Sequence, residues 1–178
     1  AGDKPNILFI LADDLGYGDV SCYNPESKVQ TPHLDRLARE GLLFTDAHSP
    51  STVCTPTRYS IMTGRMAFRL NYRGVFTGVG GPCLIEKERL TLPAMLQQQG
   101  YTTALFGKWH IGIDRSNGVY GIDENDSGGR PDRLSPKGRD TPIYEKAIDF
   151  IRRHKDEPFY VNIWGFTTHA PVASAPNF

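Results

Sequence analysis

Apolar positions along this chain follow two rhythms, short continuous runs and helical spacing. The stretch Asn6–Ala12, apolar from Ile7 onward, predicts a strand buried on both faces. Thr31-Pro32 opens a helix with Leu34, Leu37 and Ala38 on one face, and Gly41 stops it. Leu42–Asp46 reads as the next strand, and Pro56–Thr63 as a helix. Thr91-Leu92-Pro93 starts a further helix ending at Gly100, and Thr102–Phe106 is a strand. Pro142–His154 is a helix with Ile143, Ala147, Ile148 and Ile151 turned inward, followed by a strand over Pro158–Phe166. Two stretches lack either rhythm. Arg65–Pro82 is rich in Gly, Arg and aromatics and reads as irregular, and Arg115–Thr141 as a long loop or disordered. There are no internal repeats.

Strands alternating with helices predict an α/β fold, a mostly parallel sheet sandwiched by helices. Ligands gather at the carboxyl ends of such strands. Four predicted strands deliver polar residues to that edge: Asp13 and Asp14 after the first, Cys54 after the second, Lys108 and His110 after the third, His169 after the fourth. A random scatter of polar residues would rarely do this.

Composition narrows the partners. The 178 residues hold 20 Lys+Arg and 20 Asp+Glu, a formal net charge of zero. That gives no support for nucleic-acid or membrane-surface binding. The longest apolar run, Ile7–Ala12, is far too short to span a bilayer. The chain begins at Ala1, which a removed export signal or trimming would each explain. Three cysteines exclude a disulfide framework; Cys22 and Cys83 either pair or remain thiols, and the spacing matches no zinc pattern.

Cys54-Thr55-Pro56-Thr57-Arg58 is the most informative stretch. Proline suits a first helical turn, so Cys54 would sit at a helix N-terminus, beside unpaired N–H groups and the positive end of the dipole. Arg58 lies about one turn on, on the same face. The result is an anion site holding a reactive side chain; a buried, inert thiol at an ordinary helix start is the plain alternative. Asp13 and Asp14 are hard oxygen donors suited to Ca²⁺ or Mg²⁺, or else surface or capping acids. In an extended segment Lys108 and His110 point to one side and Trp109 to the other.

Cys54–Arg58 resembles the sulfatase signature C-x-P-x-R. Gly100–His110 resembles the second sulfatase signature, which ends in Gly-Lys-Trp-His, with Phe106 bulkier than expected before Gly107. Pro5–Asp19 and Thr31–Ala38 also look like the family, and the resemblance resumes over residues 142–171. It implies an alkaline-phosphatase-like fold and hydrolysis of a sulfate ester, on a carbohydrate. Cys54 would be oxidised to formylglycine by a separate maturation enzyme; one hydroxyl of its hydrate takes up the sulfuryl group, and deprotonation of the other expels sulfate. Asp13 and Asp14, with position 54, would bind a divalent ion, usually calcium. Arg58 would pair with the hydrated aldehyde and the metal-binding carboxylates, where its fork suits better than lysine. Lys108 would meet sulfate oxygens, and His110 would take the diol proton. His169, in a His-x-Pro match, would contact sulfate and protonate the leaving oxygen, with a satisfied core or loop histidine as the alternative. His33 and His48 read as structural, and His154 as a helix-end cation. Arg69, Tyr72, Arg73 and Phe76 either line a substrate cleft or form a solvated loop.

Three other readings remain open: a phosphonate or phosphodiester hydrolase of the same superfamily, a catalytically dead anion-binding or scaffold protein, and a thiol-dependent hydrolase. The resemblance leans toward an exported protein, periplasmic, secreted or lysosomal. Family members are usually longer, and their later metal-binding Asp-Asn segment and second active-site lysine have no match here. Residues 1–178 therefore read as an incomplete amino-terminal catalytic domain without the smaller carboxy-terminal subdomain, inactive and poorly stable alone.

Overall fold

The computed structural model describes residues 4–70, 83–112, 116–127 and 138–170. In chain order its elements are β1 (Ile7–Leu11), α1 (Pro32–Glu40), α2 (Cys54–Thr63), α3 (Leu92–Gln98), β2 (Thr102–Gly107), β3 (Glu124–Asp126), α4 (Thr141–His154) and β4 (Phe159–Trp164). Two units are distinguished: Ala1–Asp13 with Pro50–Phe178, and Asp14–Ser49.

The first unit is a parallel sheet in the order β1-β4-β2-β3. β4 lies between β1 and β2, with Val161 paired to Leu8 on one side and Ala104 on the other. Side chains alternate across each strand. Leu105 and Trp164 face a core that α2 fills with Tyr59 and Met62. Ala104, Phe106, Val161 and Ile163 face the opposite core, which α4 fills with Ile143, Ala147 and Phe150. Both faces of the two middle strands are therefore dry, and every residue of β4 is buried.

β1 departs from the expectation of burial on both faces. Leu8 and Ile10 are 49% and 50% exposed. Phe9 and Leu11 pack on the α2 side. On the other side α4 packs on β2 and β4, leaving Leu8 and Ile10 beyond its reach. Two further expectations fail around α4. Ile148 is exposed and Ile151 only partly buried, and Phe150 takes the inward position instead. The segment read as a long loop contains β3, whose polar Glu124-Asn125-Asp126 pair with Ala104–Phe106 through their backbones. Residues 115 and 128–137 of that segment lie outside the described residues.

In the second unit Pro32 occupies the first turn of α1, and the Gly41 N–H closes it on the Leu37 carbonyl at 2.9 Å. Asp35 accepts from the Ser21 hydroxyl at 2.8 Å and the Thr31 hydroxyl at 3.0 Å. These bonds, Ser21's first, hold its carboxyl below the usual range. The predicted apolar face of α1 is not buried; Leu37 is 65% exposed. Leu42–Asp46 is not a strand. An apolar run becomes a strand only when another backbone completes its hydrogen bonds, and among the described residues none pairs with it.

Candidate active site

The site is built where β1, α2 and β2 end or begin. Cys54 is the first residue of α2, after Val53 in extended conformation. Pro56 is the third helical residue rather than the first, still within the turn whose N–H groups lack helical partners. Arg58 follows one turn later and is buried, 1% exposed. Its Nη2 lies 3.5 Å from Oδ1 of Asp13, the buried carboxylate that follows β1. Its Nη1 donates to the Lys108 carbonyl at 2.5 Å. Its guanidinium carbon stands 5.1 Å from the centre of the Trp164 ring.

The second segment leaves β2 through Gly107, whose φ of 109° suits only glycine. A Cβ there would stand 2.0 Å from the Trp164 carbonyl oxygen. This glycine lets the chain pass against the end of β4, and the Lys108 N–H donates to that same oxygen at 2.8 Å. The Lys108 ammonium then reaches Oδ2 of Asp13. Trp109 turns into the core and stacks on Trp164, ring centres 6.1 Å apart. His110 adopts a left-handed backbone, φ 54°, and its Nδ1 lies 3.1 Å from Cys54 Sγ.

Arg58 and Lys108 thus form a network on Asp13, and Cys54 meets His110, which the chain carries two residues past Lys108. His169 reaches it indirectly. Its turn is tied to the network by Thr168, whose hydroxyl donates to the Asp13 carbonyl. The His169 ring has Nδ1 2.6 Å from the Ala170 carbonyl oxygen. Asp14 begins the second unit, with φ 62°. His48 pairs with Asp46 within that unit. Tyr72, Arg73, Phe76 and Pro171 lie outside the described residues. The helix start expected at Cys54 is present, whereas the strand expected ahead of it, Leu42–Asp46, is not, so Cys54 follows no strand end.

Two site residues escape sequence reasoning. Thr55, fully buried, donates its hydroxyl to the His110 carbonyl at 2.9 Å. Thr168 anchors the turn before His169. Thr55 was visible inside the Cys54–Arg58 motif; nothing local marks Thr168. Cys22, Cys54 and Cys83 are all thiols.

Asp13 offers a buried hard-oxygen donor, but Arg58 and Lys108 already meet its two oxygens. Among the described residues no group of three or more His, Cys, Asp or Glu side chains could hold a metal. The residues present therefore do not make a metal site by themselves.

The sulfatase family model matches residues 5–178. The chain belongs to the sulfatase family. Members of this family generally use formylglycine and a divalent metal. An N-acetylgalactosamine-6-O-sulfatase of Bacteroides thetaiotaomicron is 44% identical over 116 residues, 65% of this chain and 22% of that protein. Human arylsulfatase A is 45% identical over 112 residues, 61% of this chain and 21% of its own. A sulfatase structure from work on glycosaminoglycan metabolism by Bacteroides thetaiotaomicron superposes with a TM-score of 0.82 at 27% identity, over 98% of this chain and 53% of that one. A protein solved with its substrate D-glucosamine-2-N,6-O-disulfate gives 0.79 at 27% identity, over 98% of this chain and 37% of that one. The parallel α/β fold is thus the sulfatase fold, and the chain spans about a fifth of the length of the curated relatives it matches.

Proposed function

We propose that this chain carries the nucleophile and anion-binding residues of an enzyme that hydrolyses a sulfate ester on a carbohydrate. The observation that carries the reading is the placement of Cys54 at the start of α2, 3.1 Å from His110 Nδ1, with Arg58 of the same helix and Lys108 of the His110 segment both paired to Asp13. The carbohydrate substrate is supported by the relative named for N-acetylgalactosamine-6-O-sulfate and by the structure holding a glucosamine disulfate.

Oxidised to formylglycine and hydrated, position 54 supplies one hydroxyl to attack sulfur and a second whose deprotonation drives sulfate out. His110 Nδ1 is within reach of that position and takes the proton. Thr55 holds the His110 backbone in its left-handed conformation. The first N–H groups of α2 and the Lys108 ammonium supply positive charge to sulfate oxygens. The Arg58 guanidinium, one turn along α2 from position 54, is held by Asp13, the Lys108 carbonyl and Trp164. His169 protonates the leaving oxygen.

A calcium or magnesium ion belongs to this reading through the family, with Asp13, Asp14 and position 54 as the donors that the sequence suggests. A maturation enzyme and an exported location, periplasmic, secreted or lysosomal, belong to it as well. Among the described residues no helix is long and apolar enough to cross a membrane.

Mass spectrometry of the peptide around Cys54, from a host able to form formylglycine, is the first test; the aldehyde is expected. Rates on an aryl sulfate and an aryl phosphate diester follow, with the sulfate expected to react faster and a chelator to slow it. A preference for the diester, or activity that thiol alkylation abolishes and chelators leave intact, would overturn the reading.

A further inference from the structure

Asp140 stands at the N-cap position of α4, where an aspartate ordinarily accepts from the N–H groups of its own first turn. Here its side chain makes no such bond. Only its backbone serves the helix, the carbonyl accepting from Ile143 at 3.0 Å and Tyr144 at 3.1 Å. The carboxylate crosses instead to the chain leaving β4. It accepts from the Phe166 N–H, at 3.0 Å to Oδ1 and 2.9 Å to Oδ2, and from the Thr167 N–H at 2.9 Å. The approach is close: a Cβ on Gly165 would stand 2.8 Å from Asp140 Oδ2. The neighbouring Arg139 guanidinium lies over the Phe166 ring, 4.8 Å from its centre.

The same turn is held at both ends of this clamp. Before it, the Gly165 N–H donates to the Leu11 carbonyl at 3.0 Å. After it, Thr168 bonds the Asp13 carbonyl. His169 comes next and closes the turn with its own N–H on the Phe166 carbonyl at 3.0 Å. Two successive backbone N–H groups aimed at one carboxylate form a charge-assisted grip that a neutral side chain reproduces only in part.

We propose that Asp140 is a positioning residue of the active site: through Phe166 and Thr167 it fixes the turn that carries Thr168 to Asp13 and His169 toward the leaving group. The clamp stands on its own geometry. Its effect on turnover rests on the reading of His169 as the group that protonates the leaving oxygen.

The test separates the two. Amide hydrogen exchange is measured on the protein and on the Asp140→Ala and Asp140→Asn variants. The expected result is exchange at Phe166 and Thr167 faster by about tenfold or more in Asp140→Ala. It should be intermediate in Asp140→Asn, which keeps one acceptor, and unchanged across β4. Turnover is then compared on 4-nitrophenyl sulfate and on an alkyl or sugar sulfate, whose leaving group needs a proton. Both variants should lose kcat on the second substrate by about tenfold more than on the first, with KM little changed. If Asp140→Ala does not fold, Asp140→Asn carries both readouts. Unchanged exchange at Phe166 and Thr167, or equal loss on the two substrates, would overturn the proposal. A protein that hydrolyses no sulfate ester, yet shows the expected exchange, would leave the clamp standing and remove the sulfatase reading.

Discussion

Asp13 Oδ1 and Arg58 Nη2 lie 3.5 Å apart with only 5% and 1% of their side chains exposed, a buried ion pair that joins the end of β1 to the second turn of α2. Lys108 completes it from the far side of the carboxylate. One carboxylate between two cations is sustainable away from water because each charge has a hydrogen-bonding partner.

Removing Arg58 should therefore be costly. Arg58→Met keeps the bulk but leaves the Lys108 carbonyl without its donor and Asp13 with one cation. A loss of about 3–5 kcal/mol is expected in urea unfolding. Arg58→Lys should fall between, since an ammonium cannot serve Asp13 and the Lys108 carbonyl with one planar fork. A loss under about 1 kcal/mol for Arg58→Met would show that the pair is solvated, as surface pairs are.

Gly107 and Gly64 separate two reasons for a glycine. Both have positive φ, 109° and 65°, but only at Gly107 does a Cβ meet backbone, whereas nothing lies within 4 Å of one at Gly64. Gly64→Ala should cost about 1–2 kcal/mol, the left-handed penalty alone. Gly107→Ala should cost about 3 kcal/mol or more and abolish activity, because it pushes the Lys108–His110 segment off β4. Equal melting temperatures for the two variants would refute the distinction.

Thr55 holds the backbone that aims His110. Thr55→Val preserves shape and removes the hydroxyl, leaving the His110 carbonyl without that donor. About 1–3 kcal/mol of stability should be lost, and kcat should fall with it. Thr55→Ser, which keeps the hydroxyl, should restore most of both. Equal behaviour of the Val and Ser variants would rule out the hydrogen bond as the cause.

Tyr160 is buried in β4, and burial raises its phenol to about 12; its hydroxyl donates to Asn162 at 2.8 Å. A folded value above the ordinary one near 10 means that the neutral form is favoured by folding. Its stability contribution is complete below pH ~10 and is lost as pH rises toward ~12. Ultraviolet titration should show one tyrosinate appearing only with unfolding at that alkaline edge. Its ionisation near pH ~10 in folded protein would contradict the burial.

Much of this was legible one segment at a time. Thr91, with Leu92-Pro93, announces α3, and the Thr91 hydroxyl does accept from the Ala94 N–H. The apolar runs at β2 and β4 mark strands inside a parallel sheet, as composition alone suggests; β1 carries the same mark at the edge, with one face half exposed. The motif around Cys54 pointed to a helix start; the extended run expected over Lys108–His110 is instead broken by the left-handed backbone of His110. The two strand failures share one cause. Leu42–Asp46 has strand composition without a partner, whereas Glu124–Asp126 has a partner without strand composition. Ladder hydrogen bonds are made by backbone, which carries no signature of its own.

Sequence alone determined most of the helices and apolar strands, the residues able to do chemistry and their family, because those depend on side-chain type and spacing over a few residues. Tertiary structure decided which groups meet: Asp13 with Arg58 and Lys108, His110 with Cys54, Asp140 with the turn before His169. Each of those meetings joins segments distant in the chain. Contacts of that kind are set by how the sheet orders its strands and how the helices cover it, and no local pattern encodes them.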